Sequence, residues 1–135
     1  MKDAKKFFTA KELNPAGHPV NQEIELNLNT LIDKLSIIRA LYNRPMIVTN
    51  GLRDKADMLR IYKNRPESRI PWGSMHLIGA AADIADRDKS LAKFCFDNVQ
   101  LLEDVGLWVE DPTYTHSWCH LQIYPPKSGN RFFKP

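Results

Sequence analysis

The chain has little cysteine, no long apolar run and little excess charge, and each shortage narrows what it can be. Two thiols among 135 residues, Cys95 and Cys119, are too few and too irregular for a disulfide framework. Both are expected to be buried, in a protein suited to a reducing compartment. No stretch is long and apolar enough to cross a bilayer, which predicts no membrane insertion. The basic start, Lys2 to Lys6, leads into no apolar h-region or small-residue cleavage site, so the expectation is synthesis in the cytoplasm without a signal peptide. A formal charge of +3, with Lys and Arg scattered, makes no basic stripe and gives no support for a nucleic-acid partner. Repeats and low-complexity segments are missing as well. What is there is an ordinary globular composition at single-domain length, and residues 1–135 are expected to form one domain around one core.

Periodicity sets the elements. A short amphipathic piece, 7–13, offers Phe7 and Phe8 for docking on the core, and the turn chemistry of 14–19 makes a loop. From Asn21, an N-cap with Glu23 in the first turn, apolar residues recur at Ile24, Leu28, Leu31, Leu35, Ile38 and Leu41. That spacing predicts a long helix, stopped at Asn43-Arg44-Pro45. A short strand is expected over 46–49, closed by the turn Asn50-Gly51. A second helix is expected from Asp54 to Asn64 with Ala56, Leu59 and Tyr62 on one face, then an irregular loop to Gly73. Ser90 is the expected cap of a third helix, whose apolar face takes Leu91, Phe94, Cys95, Leu101, Leu102 and Val105 and which ends at Gly106. Strands are expected at 107–110 and 117–123 around the polar connection 111–116, with the turn-rich tail 124–135 wrapping the surface. Together these predict an α+β fold, a small antiparallel sheet packed against two or three helices.

The densest chemistry lies in Ser74-Met75-His76-Leu77-Ile78-Gly79-Ala80-Ala81-Ala82-Asp83. A zinc site that keeps a working position takes about three side-chain ligands. His76 and Asp83 can supply two only if the chain bends, since seven residues of straight strand would part them by roughly 23 Å on opposite faces. Gly79 permits the bend, and the alanines leave room beside a buried strand over 81–85. In 117–123, Trp118, His120 and Gln122 share one face and Cys119, Leu121 and Ile123 the other. Antiparallel pairing of 107–110 with 117–123 can bring His120 beside the Asp83 strand as a third ligand. Two imidazoles and one carboxylate leave Zn2+ a net positive charge and an open position for water. The same donors suit a non-haem iron centre, but the His76–Asp83 spacing and the lack of a double-sheet strand pattern argue against it.

These residues resemble the M15 zinc peptidases, the group of D-alanyl-D-alanine carboxypeptidases and phage endolysins, over most of the chain. The family pattern Ser-x-His-x-x-Gly-x-Ala-x-Asp is met at Ser74, His76, Gly79, Ala81 and Asp83, and the later Trp-x-His element at Trp118 and His120. The family's Ser-Gly-Tyr-Arg turn is similar to Asn50-Gly51-Leu52-Arg53, which differs at two positions, and the opening 8–13 is similar to phage-type members. The resemblance implies His76, Asp83 and His120 as zinc ligands, Arg53 facing substrate oxygens, and Ser74 and Trp118 beside the substrate. It implies Zn2+ as cofactor and the stem peptide of bacterial peptidoglycan as substrate. The reaction would be that of a D-Ala-D-Ala carboxypeptidase or an endolysin-type endopeptidase, encoded by a phage or prophage. A monomer acting at the cell wall, after holin release or carried in a virion, is the matching expectation.

Such a hydrolase needs a group that takes a proton from water and passes it to the leaving amine. Many family members place Glu, Asp or His two or three positions before the last histidine ligand, where this chain has Trp118 and Ser117. Nearby candidates are Glu110, Asp111 and His116, with Glu110 preferred because some phage-type members similarly end the preceding strand in Glu. The departure admits a rival of another class, a non-catalytic zinc-binding module that binds the cell wall or builds a virion.

Overall fold

The structure, a computed structural model, describes residues 5–135; of the basic start, residues 1–4 lie outside the described residues. Thr9 opens a short helix, α1 (Ala10–Leu13), by a reciprocal cap: its hydroxyl accepts the Glu12 N–H while the Glu12 carboxylate accepts the Thr9 N–H. This turn seats Leu13 in the core beside Phe8, as the amphipathic pattern predicts. The long helix α2 (Gln22–Tyr42) starts at Asn21, whose side chain accepts the Ile24 N–H, and stops at Asn43, which is left-handed at φ 58°. Leu28, Leu31, Leu35 and Ile38 are buried along it. Each such side chain contributes about 1.5–3 kcal/mol on leaving water. Leu41 departs from the expectation and is 59% exposed. At about 100° per residue it falls off the stripe centred on Leu28, Leu31 and Leu35, and Tyr42 packs on the core instead.

Five strands, β1 (Val48–Asn50), β2 (Ala81–Ala85), β3 (Trp108–Glu110), β4 (Trp118–Gln122) and β5 (Phe132–Phe133), lie in the order β1-β2-β4-β3-β5. The fold is α+β. Neighbours are antiparallel except β3 and β5, which run parallel. Ala82, Ile84, Val109, Cys119 and Leu121 join the core with α2 and the later helices. The alternate residues, Asp83 and His120 among them, face the other way. The tail does more than wrap the surface: it adds β5 and buries Phe133. A two-residue strand is too short for alternation to reveal it.

Several expected boundaries shift. The first strand is 48–50 rather than 46–49, leaving Ile47 exposed and Met46 in the core. The second helix is shorter than 54–64. This helix, α3 (Lys55–Ile61), buries Met58 and leaves Ala56 and Leu59 exposed, since at about 100° per residue turning Met58 inward carries Ala56 to the far side and Leu59 to the flank. The expected single helix 90–106 is two, α4 (Ser90–Asp97) and α5 (Val99–Val105), broken at Asn98. The Asn98 amide donates back to the Phe94 carbonyl, a local bond with which asparagine competes against helix. Ser90 is not the cap. Buried Asp86 does that work, accepting the Leu91 and Ala92 N–H groups on its two oxygens. Gly106 does end α5, left-handed at φ 85°.

Candidate metal centre

The segment 74–83 bends as its glycine allows. Met75–Ile78 form a 3-10 turn whose start Ser74 caps, its hydroxyl accepting the His76 N–H at 3.3 Å. Gly79 closes the turn at φ 72°, and β2 then carries Asp83 back past His76. On the neighbouring central strand the register sets Asp83 directly opposite His120. His76 Nε2 lies 3.3 Å, and His120 Nδ1 2.9 Å, from the same oxygen, Asp83 Oδ1. All three residues are buried, and their three donor atoms lie within 4.8 Å of one another. The two rings meet edge to face at 5.1 Å, and Phe133 closes against His120 at 5.9 Å.

The outer bonds fix which ring nitrogens carry protons. His76 Nδ1 faces the Gly51 carbonyl at 2.8 Å, and a carbonyl only accepts, so Nδ1 must donate. Gln122 Nε2 donates to the Tyr124 carbonyl at 2.9 Å, which turns its Oε1 toward His120 Nε2 at 2.8 Å and makes that nitrogen the donor. In the neutral imidazoles His76 Nε2 and His120 Nδ1 are therefore the lone-pair atoms, and both point at an anionic carboxylate oxygen. Three acceptors converging in a buried space repel one another unless a cation sits between them. A proton can fill that role for one pair, and a metal ion for all three. Two nitrogens, one carboxylate and an acceptor behind each imidazole are the donor set and outer support of a zinc site with room for a further ligand. The residues fit zinc.

The three groups shift one another's ionisation. Burial alone would raise the Asp83 carboxyl, but hydrogen bonds and charge from the two imidazoles outweigh it and hold the group far below the usual carboxylate range. Burial pushes His76 down, more strongly than Asp83 lifts it. For His120 burial is overcome by the hydrogen bond and charge of Asp83, and the net direction is up.

Arg53 and Glu110 border this cluster. A register shift between Val48 and Asn50 bulges β1 just before Gly51. Beyond it the Arg53 N–H donates to the His76 carbonyl at 3.0 Å, and the guanidinium Nη2 stands 3.5 Å from Asp83 Oδ2. Its Nε is buried with no hydrogen-bond partner among the described residues. Continuing the β3–β4 register one residue past Val109–Leu121 sets Glu110 across from His120, on the same face. Burial, helped by the charges of Asp83 and Asp111, raises the Glu110 carboxyl against the pull of His120. Asp111 is engaged elsewhere, accepting the Thr113 N–H and hydroxyl, and His116 is exposed. Trp118 shares the face of His120 two residues earlier on β4, roughly 7 Å along the strand. The loop 65–73 contributes Glu67 and Trp72 to a groove of about 380 Å³ that Lys55 and Leu77, the residue after His76, complete.

Sequence reasoning brought together His76, Asp83, His120 and Arg53, and placed Glu110 at the next strand's end. It did not assign the outer residues Gly51 and Gln122. Gln122 had a readable signal, sharing the face of His120 by alternation; a backbone carbonyl such as that of Gly51 leaves none. A second cluster, His18 with Asp54 and Asp57, also stands close enough for a metal. Its atoms are already used: Asp57 accepts from the Asp54 N–H, Arg60 and His18, which ties the 14–19 loop to the start of α3. Partial burial opposes ionisation of Asp57, but these bonds outweigh it and hold the carboxyl at about 2. Compared with known families and with curated proteins, the chain matches no family model and no curated protein.

Proposed function

We propose that the chain is a zinc peptidase of the M15 type that hydrolyses a short peptide bond in the peptidoglycan stem peptide, made by a phage or prophage and acting at the bacterial cell wall. The observation that carries this reading is the convergence of His76 Nε2, His120 Nδ1 and Asp83 Oδ1 with an acceptor behind each ring. The ordered resemblance of the Ser74–Asp83 segment and of Trp118-x-His120 to that family supports it. Zinc held there supplies Lewis acidity toward a peptide carbonyl and makes water a nucleophile near neutral pH. Arg53, with donor capacity to spare beside Asp83, binds substrate oxygens or a terminal carboxylate, a task suited to a planar guanidinium. The Glu110 carboxylate takes the proton of the attacking water and returns it to the leaving amine. Its raised pKa suits both halves of that transfer. Ser74 holds the His76 turn at the site's edge, and Trp118 supplies an aromatic wall on the face of His120.

A second reading, a wall-binding or virion module that holds zinc without catalysis, draws on Ser117 and Trp118, which stand where many members carry an acid or base. Metal analysis with digestion of isolated peptidoglycan, products identified by mass, separates the two. One zinc per chain and a defined cut, lost in Glu110→Gln with zinc retained, is the expected result. Zinc without any cut favours the module.

A further inference from the structure

Gln122, the acceptor for His120, is itself held in place by a chain of bonds that reaches the other histidine. The Gln122 amide donates to the Tyr124 carbonyl at 2.9 Å, and the Tyr124 hydroxyl donates to Asn27 Oδ1 at 2.6 Å. Asn27 Nδ2 donates to the Ile78 carbonyl at 2.9 Å, in the 3-10 turn that carries His76. Each orientation follows from its neighbour. Ile78 offers only a carbonyl, so the Asn27 nitrogen must face it and the oxygen must face Tyr124. The Tyr124 carbonyl likewise fixes the Gln122 amide, and with it the proton on His120 Nε2. Asn27 is a buried polar residue, 4% exposed, on α2, whose neighbours Leu28 and Leu31 pack in the core. A buried amide with both ends bonded is costly to replace and specifies one geometry.

We infer that Asn27, Tyr124 and Gln122 form a positioning relay that braces α2 against both histidine-bearing elements and presents His120 Nδ1 and the His76 turn to one metal ion. The relay rests on the zinc reading of the site, though not on peptide hydrolysis. It acts on metal affinity through ring orientation, so its test reads zinc binding and the His120 ring rather than turnover.

The experiment is a zinc titration against a competing chelator, with nitrogen-15 NMR of the zinc-loaded protein to observe the His120 Nε2–H. In the unmutated protein that N–H is expected to exchange slowly, being buried and bonded to Gln122. Gln122→Leu is expected to weaken zinc binding about 10–100-fold and to lose the slow N–H. Gln122→Glu, which keeps an acceptor for His120, recovers part of that affinity. Tyr124→Phe, which cuts the bond to Asn27 but keeps the backbone carbonyl that Gln122 uses, is expected to weaken zinc less. Unchanged zinc affinity with an unchanged His120 N–H in Gln122→Leu overturns the inference. If Gln122→Leu does not fold, Tyr124→Phe decides the matter, since Tyr124 is 42% exposed and loses one hydroxyl. Unaltered zinc affinity in Tyr124→Phe would then refute the relay. An unmutated protein that binds no zinc refutes relay and peptidase together, whereas tight zinc binding without a cut in any wall peptide counts against the peptidase alone.

Discussion

Gly51 is the position where one added carbon should do the most damage. A Cβ there would meet the Leu13 carbonyl oxygen at 2.2 Å and its carbon at 2.8 Å, where ordinary contact begins at 3.4 Å. Those are backbone atoms at the end of α1 and cannot swing away as a side chain can, so the two segments must part by about 1.2 Å. Two bonds lie in the path of that movement. The Leu52 N–H donates to the Leu13 carbonyl at 2.7 Å, and His76 Nδ1 donates to the Gly51 carbonyl at 2.8 Å. A shift of about 1 Å takes either past the range of a hydrogen bond. Overpacking costs about 1–3 kcal/mol and each of the two lost bonds about 1 kcal/mol, so Gly51→Ala is expected to destabilise the metal-free protein by about 3–5 kcal/mol. Urea unfolding reads this as a lower midpoint at constant slope. Zinc affinity should drop in the same variant, because His76 loses the acceptor that orients it. Gly73→Ala is the control: nothing lies within 4 Å of its Cβ, and its stability should change by less than about 0.5 kcal/mol. A Gly51→Ala protein that unfolds at the unmutated midpoint would show that the contact with Leu13 does not constrain this segment.

His120→Ala should lower bound zinc steeply, since two remaining ligands make a poor site; stoichiometric zinc by elemental analysis would sink the ligand assignment. Asp86→Ala leaves the Leu91 and Ala92 N–H groups without their acceptor and should cost about 1–3 kcal/mol, measured by thermal or urea unfolding, with zinc affinity unchanged. The folded Asp57 carboxyl titrates at about 2, below its unfolded value. Its contribution to stability is therefore complete above pH ~4 and is lost as the pH falls toward ~2. Asp57→Asn should flatten that part of the urea midpoint against pH, and an unaltered slope would refute the His18–Asp57–Arg60 arrangement.

Much of this fold was legible because its signals are periodic. The stripe Leu28, Leu31, Leu35, Ile38 marks α2, and the alternation Trp118, His120, Gln122 marks the site face of β4. The bend at Gly79 was legible from residue type, as was the stop at Asn43. What escaped depends on contacts between distant residues. Nothing local says that Met58 rather than Leu59 turns inward, or that Phe132–Phe133 will pair with β3, whereas Asn98, whose side chain bonds back to Phe94, is a local signal hidden under a continuous apolar stripe. Gly51 reads as a turn glycine, yet its φ is not positive; the close approach of Leu13 is what needs it. Asn27 interrupts an apolar pattern, a signal in principle, but its partners Tyr124 and Ile78 stand 97 and 51 residues away.

Asp83 and His120 stand on the paired central strands, whose opposite face is the core, while the segments 64–73 and 111–117 are connections, the first leading from α3 to the turn of His76 and the second joining β3 to β4. Such a division separates what is held fixed from what is free to vary. Lengthening a surface loop is cheap, about 0.6 kcal/mol for each doubling, whereas shifting either strand by one residue would turn Asp83 or His120 into the core. New residues inserted in those two loops would thus change which molecules reach the three donors while leaving the distances among the donors as they are. If the three donors hold zinc as proposed, the scaffold can be retuned in selectivity by steps that never pass through a form unable to hold it.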